Sequence, residues 1–246
     1  MANKALLSFV MNRGILFVLA MMVGILTVSA QFSNTDNSGT PSVGVNGWNA
    51  VYAEWNPSSI VSKEKDSKSF NGFSLGYSHA FGLSRKMPFY LEAGTAVQYS
   101  CNNNFEEYSS LGLGVEGNDF IIKEFTSSWS YKDVLLKVPV NLMYRFDFKK
   151  RFALIPYIGL SLKGHIWGSL KFHSDYYDED SESINIYNEK DMEGKQAKRI
   201  QLGWQLGLRA HFDSKFLVGA SWGTDFVDYF KKSKIHSGSI TIGYIF

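Results

Sequence analysis

The feature that most constrains this chain is the alternation of apolar and polar side chains over long segments. Between positions 199 and 212 every even residue is apolar, and every odd residue is polar, charged or glycine. The segment 134–147 likewise carries seven successive apolar even positions. Because successive side chains of a β-strand point to opposite faces, this pattern predicts strands. Each strand would be ~45 Å long. An ordinary globular strand has only roughly five or six residues, so this length favours strands that cross a membrane.

An export signal precedes these strands. Residues 1–30 contain Lys4 and Arg13, no acid, and an apolar stretch from Gly14 to Val28. The stretch is shorter than the roughly 20 residues needed to span hydrocarbon, so we expect a cleaved signal peptide rather than an anchor. Small residues before position 31 predict cleavage between Ala30 and Gln31, followed by a flexible lead-in over 31–43.

The charge of the mature chain excludes one broad class of partners. The full sequence has 25 Lys and Arg against 23 Asp and Glu, and two of these bases lie in the signal. The mature chain is therefore neutral overall and has no basic excess with which to follow the phosphates of a nucleic acid. Cys101 is the only cysteine, so no intrachain disulfide is expected.

The same alternation, followed along the chain, gives an even number of strands, as single-chain bacterial barrels require. The eight predicted strands span 44–56, 70–82, 89–100, 132–147, 152–172, 198–212, 216–228 and 235–246. Long and short connections alternate between them, except for 229–234, which we expect to be a tight outer hairpin. Short connections belong on the periplasmic side, so both termini are expected there. The sequence predicts an all-β fold, an eight-stranded antiparallel up-and-down transmembrane β-barrel over 44–246.

Three features indicate that the apolar faces look outward to lipid and not into a soluble ligand-binding barrel. The first is the export signal. The second is that aromatic residues lie near the ends of the apolar faces, as in interfacial girdles: Phe89, Tyr99, Tyr144, Phe146, Phe212, Tyr244 and Phe246. The third is that the polar faces are rich in glycine and small residues, as a narrow lumen requires. The opposite facing would put Lys137 and Arg209 against lipid, at about 2 to 4 kcal/mol each near the midplane.

Two positions do not fit a regular strand. Pro139 lies inside the predicted fourth strand and cannot donate a ladder hydrogen bond, so we expect a bulge or a distorted pairing there. Glu54 shares its face with Trp48, Ala50 and Tyr52, which leaves the facing of the first strand open.

The polar faces predict a network of charged and amide side chains inside the barrel: Glu92, Lys137, Asn141, Arg145, Lys163, Gln205, Arg209 and Asp225. Because an unpaired buried charge is costly, acids and bases in a narrow lumen should pair with one another. An eight-stranded barrel is about wide enough for side chains to fill its interior. We therefore expect a filled, ion-paired interior, and a narrow conducting channel is the alternative.

Three short motifs resemble the small outer-membrane β-barrels of the PorT-like family, which are similar in shape to OmpX-type barrels. The motifs are 136–140 leading to Tyr144-Arg145-Phe146, then Pro156-Tyr157-Ile158-Gly159, and the ending Ile242-Gly243-Tyr244-Ile245-Phe246. The resemblance implies that Tyr244 and Phe246 form the C-terminal signal read by the barrel assembly machinery. Some members of the family are linked to protein secretion, so an accessory role in secretion is implied as one function.

Candidate catalytic and metal-binding residues are weak in this sequence. His173 with Ser174, or His236 with Ser239, would suit a lipid-modifying enzyme, but no third orienting residue is fixed. The acids between 173 and 197 lack the ligand spacing of a Ca²⁺ loop, and no His or Cys pair has zinc spacing. We therefore predict no enzyme activity, no metal and no cofactor.

The long connection 101–131 is the best candidate for binding a partner. Its hydrophobic and aromatic residues, among them Phe125 and Trp129, could extend the third and fourth strands beyond the membrane as a hairpin. Such a hairpin presents a sheet edge to another protein. We therefore predict an integral protein of the bacterial outer membrane that serves as a scaffold or interaction protein through its outer loops.

Overall fold

A computed structural model describes the barrel and much of its connections. The described residues are 47–62, 67–84, 87–116, 119–148, 151–174, 179–180, 183–189, 196–230 and 232–246. The predicted signal peptide, the Ala30–Gln31 cleavage site and the lead-in over 31–43 lie outside them. No helix among the described residues is long and apolar enough to cross a membrane.

The secondary structure of the described residues is β throughout, and eight of its strands are long. The strands are β1 (Trp48–Ser62), β2 (Lys68–Gly82), β3 (Phe89–Glu116), β4 (Asp119–Tyr144), β5 (Phe146–Phe148), β6 (Phe152–Ser174), β7 (Glu179–Asp180), β8 (Ile184–Asn185), β9 (Ile200–Phe212), β10 (Phe216–Asp225) and β11 (Ser233–Ile245). Strands β5, β7 and β8 are short pieces that each pair with β6.

The long strands close into a ring in which each pairs antiparallel with its neighbours. Sequential neighbours pair from β1 to β4, and β4 pairs with β6 across the short β5. The ring continues through β9, β10 and β11. It closes where β11 pairs with β1, from Ala50 opposite Ile245 to Ser62 opposite Ser233. The predicted fold class is confirmed, because the chain forms an eight-stranded up-and-down antiparallel ring.

The faces of the strands follow the alternation of the sequence. On β9 the apolar even residues are exposed or half-buried, whereas Gln201, Gln205 and Arg209 are buried. On β1 the structure resolves the facing that the sequence left open, because Trp48, Ala50, Tyr52 and Glu54 are buried while Val51 and Trp55 are exposed. Every long strand thus turns one face to a common interior.

Several outer strand ends depart from the predicted bounds, and β1 continues to Ser62 instead of 56. Strands β3 and β4 continue far beyond 100 and 132 and stay paired to Glu116 opposite Asp119, so the connection 101–131 is mainly a two-stranded ribbon. Strand β10 ends at Asp225 instead of 228, although the Phe226 amide still donates to the Leu202 carbonyl of β9. The hairpin then turns tightly, with the Ser233 amide donating to the Phe230 carbonyl.

Proline residues interrupt the ladders without shifting their register. The β3–β4 pairing passes from Ala93 opposite Val140 to Ala96 opposite Lys137, so it is broken opposite Pro139. The predicted distortion at Pro139 is therefore present, but a bulge there is wrong. The register shift between β4 and β6 lies instead between Val134 and Leu135. Pairing of β1 with β11 is interrupted in the same way at Pro57, because proline has no amide hydrogen to donate.

Candidate functional site

The interior of the barrel contains three ion pairs between buried side chains. Lys137 Nζ lies 3.3 Å from Glu54 Oε2, and Lys163 Nζ lies 2.8 Å from Asp225 Oδ1. Arg209 Nη1 lies 2.5 Å from Glu92 Oε1. Each pair joins residues that are far apart in sequence, and each brings one acid together with one base. The charges of these six groups therefore cancel inside the lumen.

Amide and hydroxyl groups surround the pair of Glu92 and Arg209. Asn141 Nδ2 donates to Glu92 Oε2 at 2.7 Å, and Gln205 Nε2 donates to Asn141 Oδ1 at 2.7 Å. The Ser78 hydroxyl donates to Glu92 Oε1 at 2.8 Å. The Glu92 carboxylate is thus held by three different strands. Such full hydrogen bonding is what makes a buried charge tolerable in a low-dielectric interior.

Glu54 belongs to this network although sequence reasoning left it out. Its carboxylate accepts hydrogen bonds from Ser74 at 3.1 Å and Thr241 at 3.2 Å, in addition to Lys137. Glu54 shares a strand face with Ala50 and Tyr52, and this parity was the only sequence indication of its position. Because those two side chains are apolar, the parity suggested that the face is turned to lipid. Tyr52 fits inside because it packs across Gly76, where an added Cβ would lie 2.5 Å from the phenol ring.

Arg145 is the one residue of the predicted network that the structure places elsewhere. It follows the last residue of β4, and its Nε lies 2.8 Å from Asp147 Oδ1. Its guanidinium stands 5.7 Å from the ring centroid of Trp48. Arg145 therefore lies beside the aromatic cluster that contains Trp48, and its ion pair is with Asp147 and not with an acid of the charged layer. The other predicted members, namely Glu92, Lys137, Asn141, Lys163, Gln205, Arg209 and Asp225, are all buried.

An apolar cluster lies on each side of the charged layer. At the end with the short turns, buried residues pack around Trp48, Tyr90, Met143, Ile155 and Tyr157. At the end with the long hairpins, a second cluster contains Phe70, Tyr131, Tyr187, Tyr229 and Ile235. The interior thus has three layers, with the ion pairs between two aromatic ones.

The outer cluster is closed by a residue from a loop. Tyr187 follows β8, and its hydroxyl lies 2.8 Å from Asp133 Oδ1, 2.7 Å from His165 Nδ1 and 3.0 Å from the Tyr229 hydroxyl. His165 Nδ1 also lies 2.9 Å from Asp133 Oδ2. No pattern in the sequence indicated that a residue of the acidic 173–197 connection returns to the lumen. This loop therefore covers the outer mouth through one buried phenol.

Burial fixes the protonation state of the two loop tyrosines. Removal from water raises the pKa of the Tyr187 phenol far above its ordinary value, and nearby Tyr131, Tyr229 and Asp133 raise it further. Burial also raises the pKa of Tyr229, with Asp133 adding to the shift. Both phenols therefore remain neutral hydrogen-bonding groups over the whole physiological range.

The space left inside the wall is small. A cavity of about 20 Å³ lies beside Gln98, Lys137, Lys163 and Gln205. This volume is about what one water molecule needs. This cavity alone is far too small for a continuous aqueous path.

The structure separates the candidate catalytic pairs. His236 and Ser239 are an odd number of residues apart on β11, so they point to opposite faces. Ser239 faces the lumen, where its hydroxyl lies 2.6 Å from that of Ser221. His173 is exposed, whereas the neighbouring Ser174 is buried and accepts a hydrogen bond from Ser127 at 3.1 Å. Neither pair brings an imidazole to a serine hydroxyl.

Several further sequence features can be placed only in part. Within the described residues, no group of three or more His, Cys, Asp or Glu side chains could hold a metal ion. Most acids of the 173–197 connection, such as Asp175, Asp178, Glu182, Asp191 and Glu193, lie outside the described residues. Cys101 is a free, half-buried thiol on β3. Tyr244 and Phe246 are exposed on the outer surface at the end of β11.

The ribbon of β3 and β4 extends past the strands that flank it. Pairing of β3 with β2 ends at Cys101, and pairing of β4 with β6 begins at Ser127. Among the described residues, the ribbon edges between 102 and 126 thus have no neighbouring strand. Leu111 and Ile122 lie diagonally across the ribbon on one face and are 77% and 74% exposed. The ribbon therefore has two edges beside which no described strand lies, and it has a small apolar face.

The fold and its interior define a closed antiparallel barrel of eight strands with ion pairs buried in its lumen. Neither the family models nor the curated sequences with which the chain was compared match it. Among solved structures, the chain is similar to Ail, the attachment invasion locus protein of Yersinia pestis, with 16% identity over 82% of this chain and 99% of that chain and a TM-score of 0.45. It is also similar to Neisserial surface protein A, with 16% identity over 80% and 95% of the two chains and a TM-score of 0.37. The N-terminal β-barrel domain of Pseudomonas aeruginosa OprF matches with 14% identity over 82% and 100% and a TM-score of 0.31.

Proposed function

We propose that this chain is an integral β-barrel of the outer membrane of a Gram-negative bacterium. The observation that supports this is the distribution of side chains across the wall. Large apolar residues are exposed on all eight long strands, for example Trp55, Leu75, Val97, Leu142, Leu160, Leu206, Val218 and Ile242. The ion-paired charges of six of these strands are buried inside. An exposed apolar surface that encircles a protein suits contact with lipid and not with water.

The first test is whether the processed chain needs an amphiphile to stay folded. We expect the barrel expressed without residues 1–30 to refold only with detergent or lipid and to float with vesicles in a density gradient. A compact, folded monomer in plain buffer would refute the membrane assignment.

We propose further that the barrel does not conduct and carries no catalytic activity. The layer of ion pairs, the two aromatic layers and the Tyr187 closure all reduce the space for water. In planar bilayers the purified protein should give no stepwise conductance under conditions in which a porin control conducts. Reproducible steps would instead support a narrow passive channel.

The role that we propose is that of a scaffold or interaction protein acting through the β3–β4 ribbon. The edges that have no described neighbouring strand can accept an added strand from a partner, since the amides and carbonyls of a sheet edge pair readily with another extended chain. Leu111 and Ile122 would contact side chains of that strand. In this orientation both termini are periplasmic, and the ribbon lies on the extracellular side of the outer membrane.

Partner capture from cells tests this role. Replacement of residues 109–126 by Asn-Gly joins Tyr108 to Ser127, which are already opposite each other, through a dipeptide that favours a tight hairpin. We expect this variant and the double variant Leu111→Ser, Ile122→Ser to lose proteins that co-purify with the wild type. The matched control is Glu107→Ser, Lys123→Ser, which changes polar ribbon residues only. An unchanged set of associated proteins would remove the ribbon from consideration.

The end of the chain and the PorT-like resemblance lead to a separate proposal. Tyr244 and Phe246 would be read by the barrel assembly machinery, since both are exposed at the end of the last strand. Deletion of Phe246 should lower the amount of assembled barrel in the outer membrane without changing synthesis. An accessory role in protein secretion predicts that a deletion strain loses secreted proteins, and normal secretion would argue against it.

A further inference from the structure

A groove lies on the outside of the barrel where β1 meets β11. It has a volume of about 380 Å³ and is lined by Pro57, Ser59, Asn71, Trp222, His236 and Gly238, among others. The groove lies at the interruption of the β1–β11 pairing, opposite Pro57. Gly238 has no side chain to fill it, and an added Cβ would meet only Pro57 and the Ser221 carbonyl, at 3.6 to 3.9 Å. The wall is therefore indented at this point.

The groove lies where the apolar band of the wall ends. The row of outward residues on one side consists of Ile240, Trp55, Phe73 and Tyr99, which are neighbours across four strands and are all exposed. The row on the other side contains His236, Ser59 and Ser69, again opposite one another. Such a change from apolar to polar side chains marks the boundary between hydrocarbon and headgroups.

Trp222 forms a fixed aromatic wall of this groove. Its ring meets that of Trp204 at 5.2 Å in an edge-to-face arrangement, and the His236 ring lies 6.1 Å away. Trp222 nevertheless remains 46% exposed. The indole is thus held in place by a neighbouring ring while one surface stays available.

We propose that this groove binds a sugar ring in the headgroup of an outer-leaflet glycolipid. One face of a sugar ring carries C–H groups that can pack on the indole of Trp222, and its hydroxyls can bond to Ser59, Asn71 and His236. An acyl chain in the same place would leave these polar groups without hydrogen-bond partners, which is unfavourable. The volume is within the range of about 300 to 1,000 Å³ that is usual for small-ligand sites.

A lipid-linked sugar is favoured over a soluble one because the groove opens sideways on the wall. The apolar row beside it would lie against the acyl chains of the same lipid. Lys234 is exposed on β11 beyond the polar row, which adds a positive charge for an anionic headgroup. The inference rests on the proposed insertion in the membrane.

The experiment compares two glycine variants on the outer wall. Gly238→Leu fills the groove, whereas Gly164→Leu is the control, since a Cβ at Gly164 meets no atom within 4 Å. Each protein is placed in phosphatidylcholine nanodiscs containing a small share of lipid A, and retained lipid is counted by native mass spectrometry. We expect the wild type and Gly164→Leu to retain lipid A equally, and Gly238→Leu to retain about tenfold less, which corresponds to 1.4 kcal/mol. His236→Phe keeps an aromatic ring but cannot donate a hydrogen bond to the sugar, so its lipid A retention should lie between those of the wild type and Gly238→Leu.

Each outcome separates the site from the membrane assignment. Insertion of all proteins with equal lipid A retention in Gly238→Leu would overturn the site alone. Equal retention of phosphatidylglycerol and lipid A by the wild type would show a general lipid surface and would also overturn it. If the wild type bound the deacylated disaccharide as tightly as lipid A, the groove would be a site for a soluble sugar, and the proposed lipid ligand would be wrong. A protein that fails to enter the discs would refute the proposed function and the site together.

Discussion

At the scale of single residues, the interior is sensitive to the loss of one partner of an ion pair. Arg209→Met would leave Glu92 buried with the hydrogen bonds of Asn141 and Ser78 but no cation. We expect a loss of about 3 to 5 kcal/mol in the free energy of unfolding, measured by urea titration in lipid vesicles. The double variant Glu92→Gln, Arg209→Met should recover part of it. Arg151→Met, which breaks an exposed pair with Asp213, should change little, and an equal loss there would contradict the argument.

The closure of the outer mouth also depends on single residues and should respond to alkaline pH. In the folded protein, burial raises the pKa of Tyr187 in the 173–197 connection and that of Tyr229 in the 229–234 hairpin. Their contribution is therefore complete below pH of about 10, the ordinary tyrosine value, and falls above it because only the released loop can ionise. Cleavage of this loop by subtilisin should accelerate as the pH rises above 10. Tyr187→Phe, Tyr229→Phe should abolish the added pH dependence, while the exposed Tyr108→Phe should keep it.

At the scale of elements, the ribbon and the barrel are separable, because the ribbon edges between 102 and 126 pair with no other described strand. Replacement of 109–126 by Asn-Gly should lower the stability of the barrel only slightly, since it removes one buried hydrophobic side chain, Phe125, and keeps the stacked pair Phe105 and Tyr131. Melting followed by the shift between folded and unfolded mobility on a gel measures this. A large loss of stability would mean that the ribbon supports the barrel, and that any loss of partners in the same variant reflects misfolding.

At the scale of the whole molecule, the direction of the faces can be tested at adjacent positions of one strand. Leu206 is exposed on β9, and its neighbour Gln205 is buried. Leu206→Arg should cost about 2 to 4 kcal/mol in lipid vesicles if this part of the wall is near the midplane. Leu206→Met should be nearly neutral. A neutral Leu206→Arg would place that face in water and would contradict the membrane assignment.

The sequence by itself determined the strands and which of their faces is apolar, because alternation is a local property that each strand carries alone. It also indicated most of the lumen residues, such as Lys163 and Asp225, through their parity. The tertiary structure decided which residues meet. Glu54 meets Lys137 and Tyr187 meets Asp133 only after the ring closes, since the register between strands depends on all neighbours together. The groove likewise forms only where β1, which contains Pro57, lies beside β11, which contains Gly238. Neither strand encodes the groove alone.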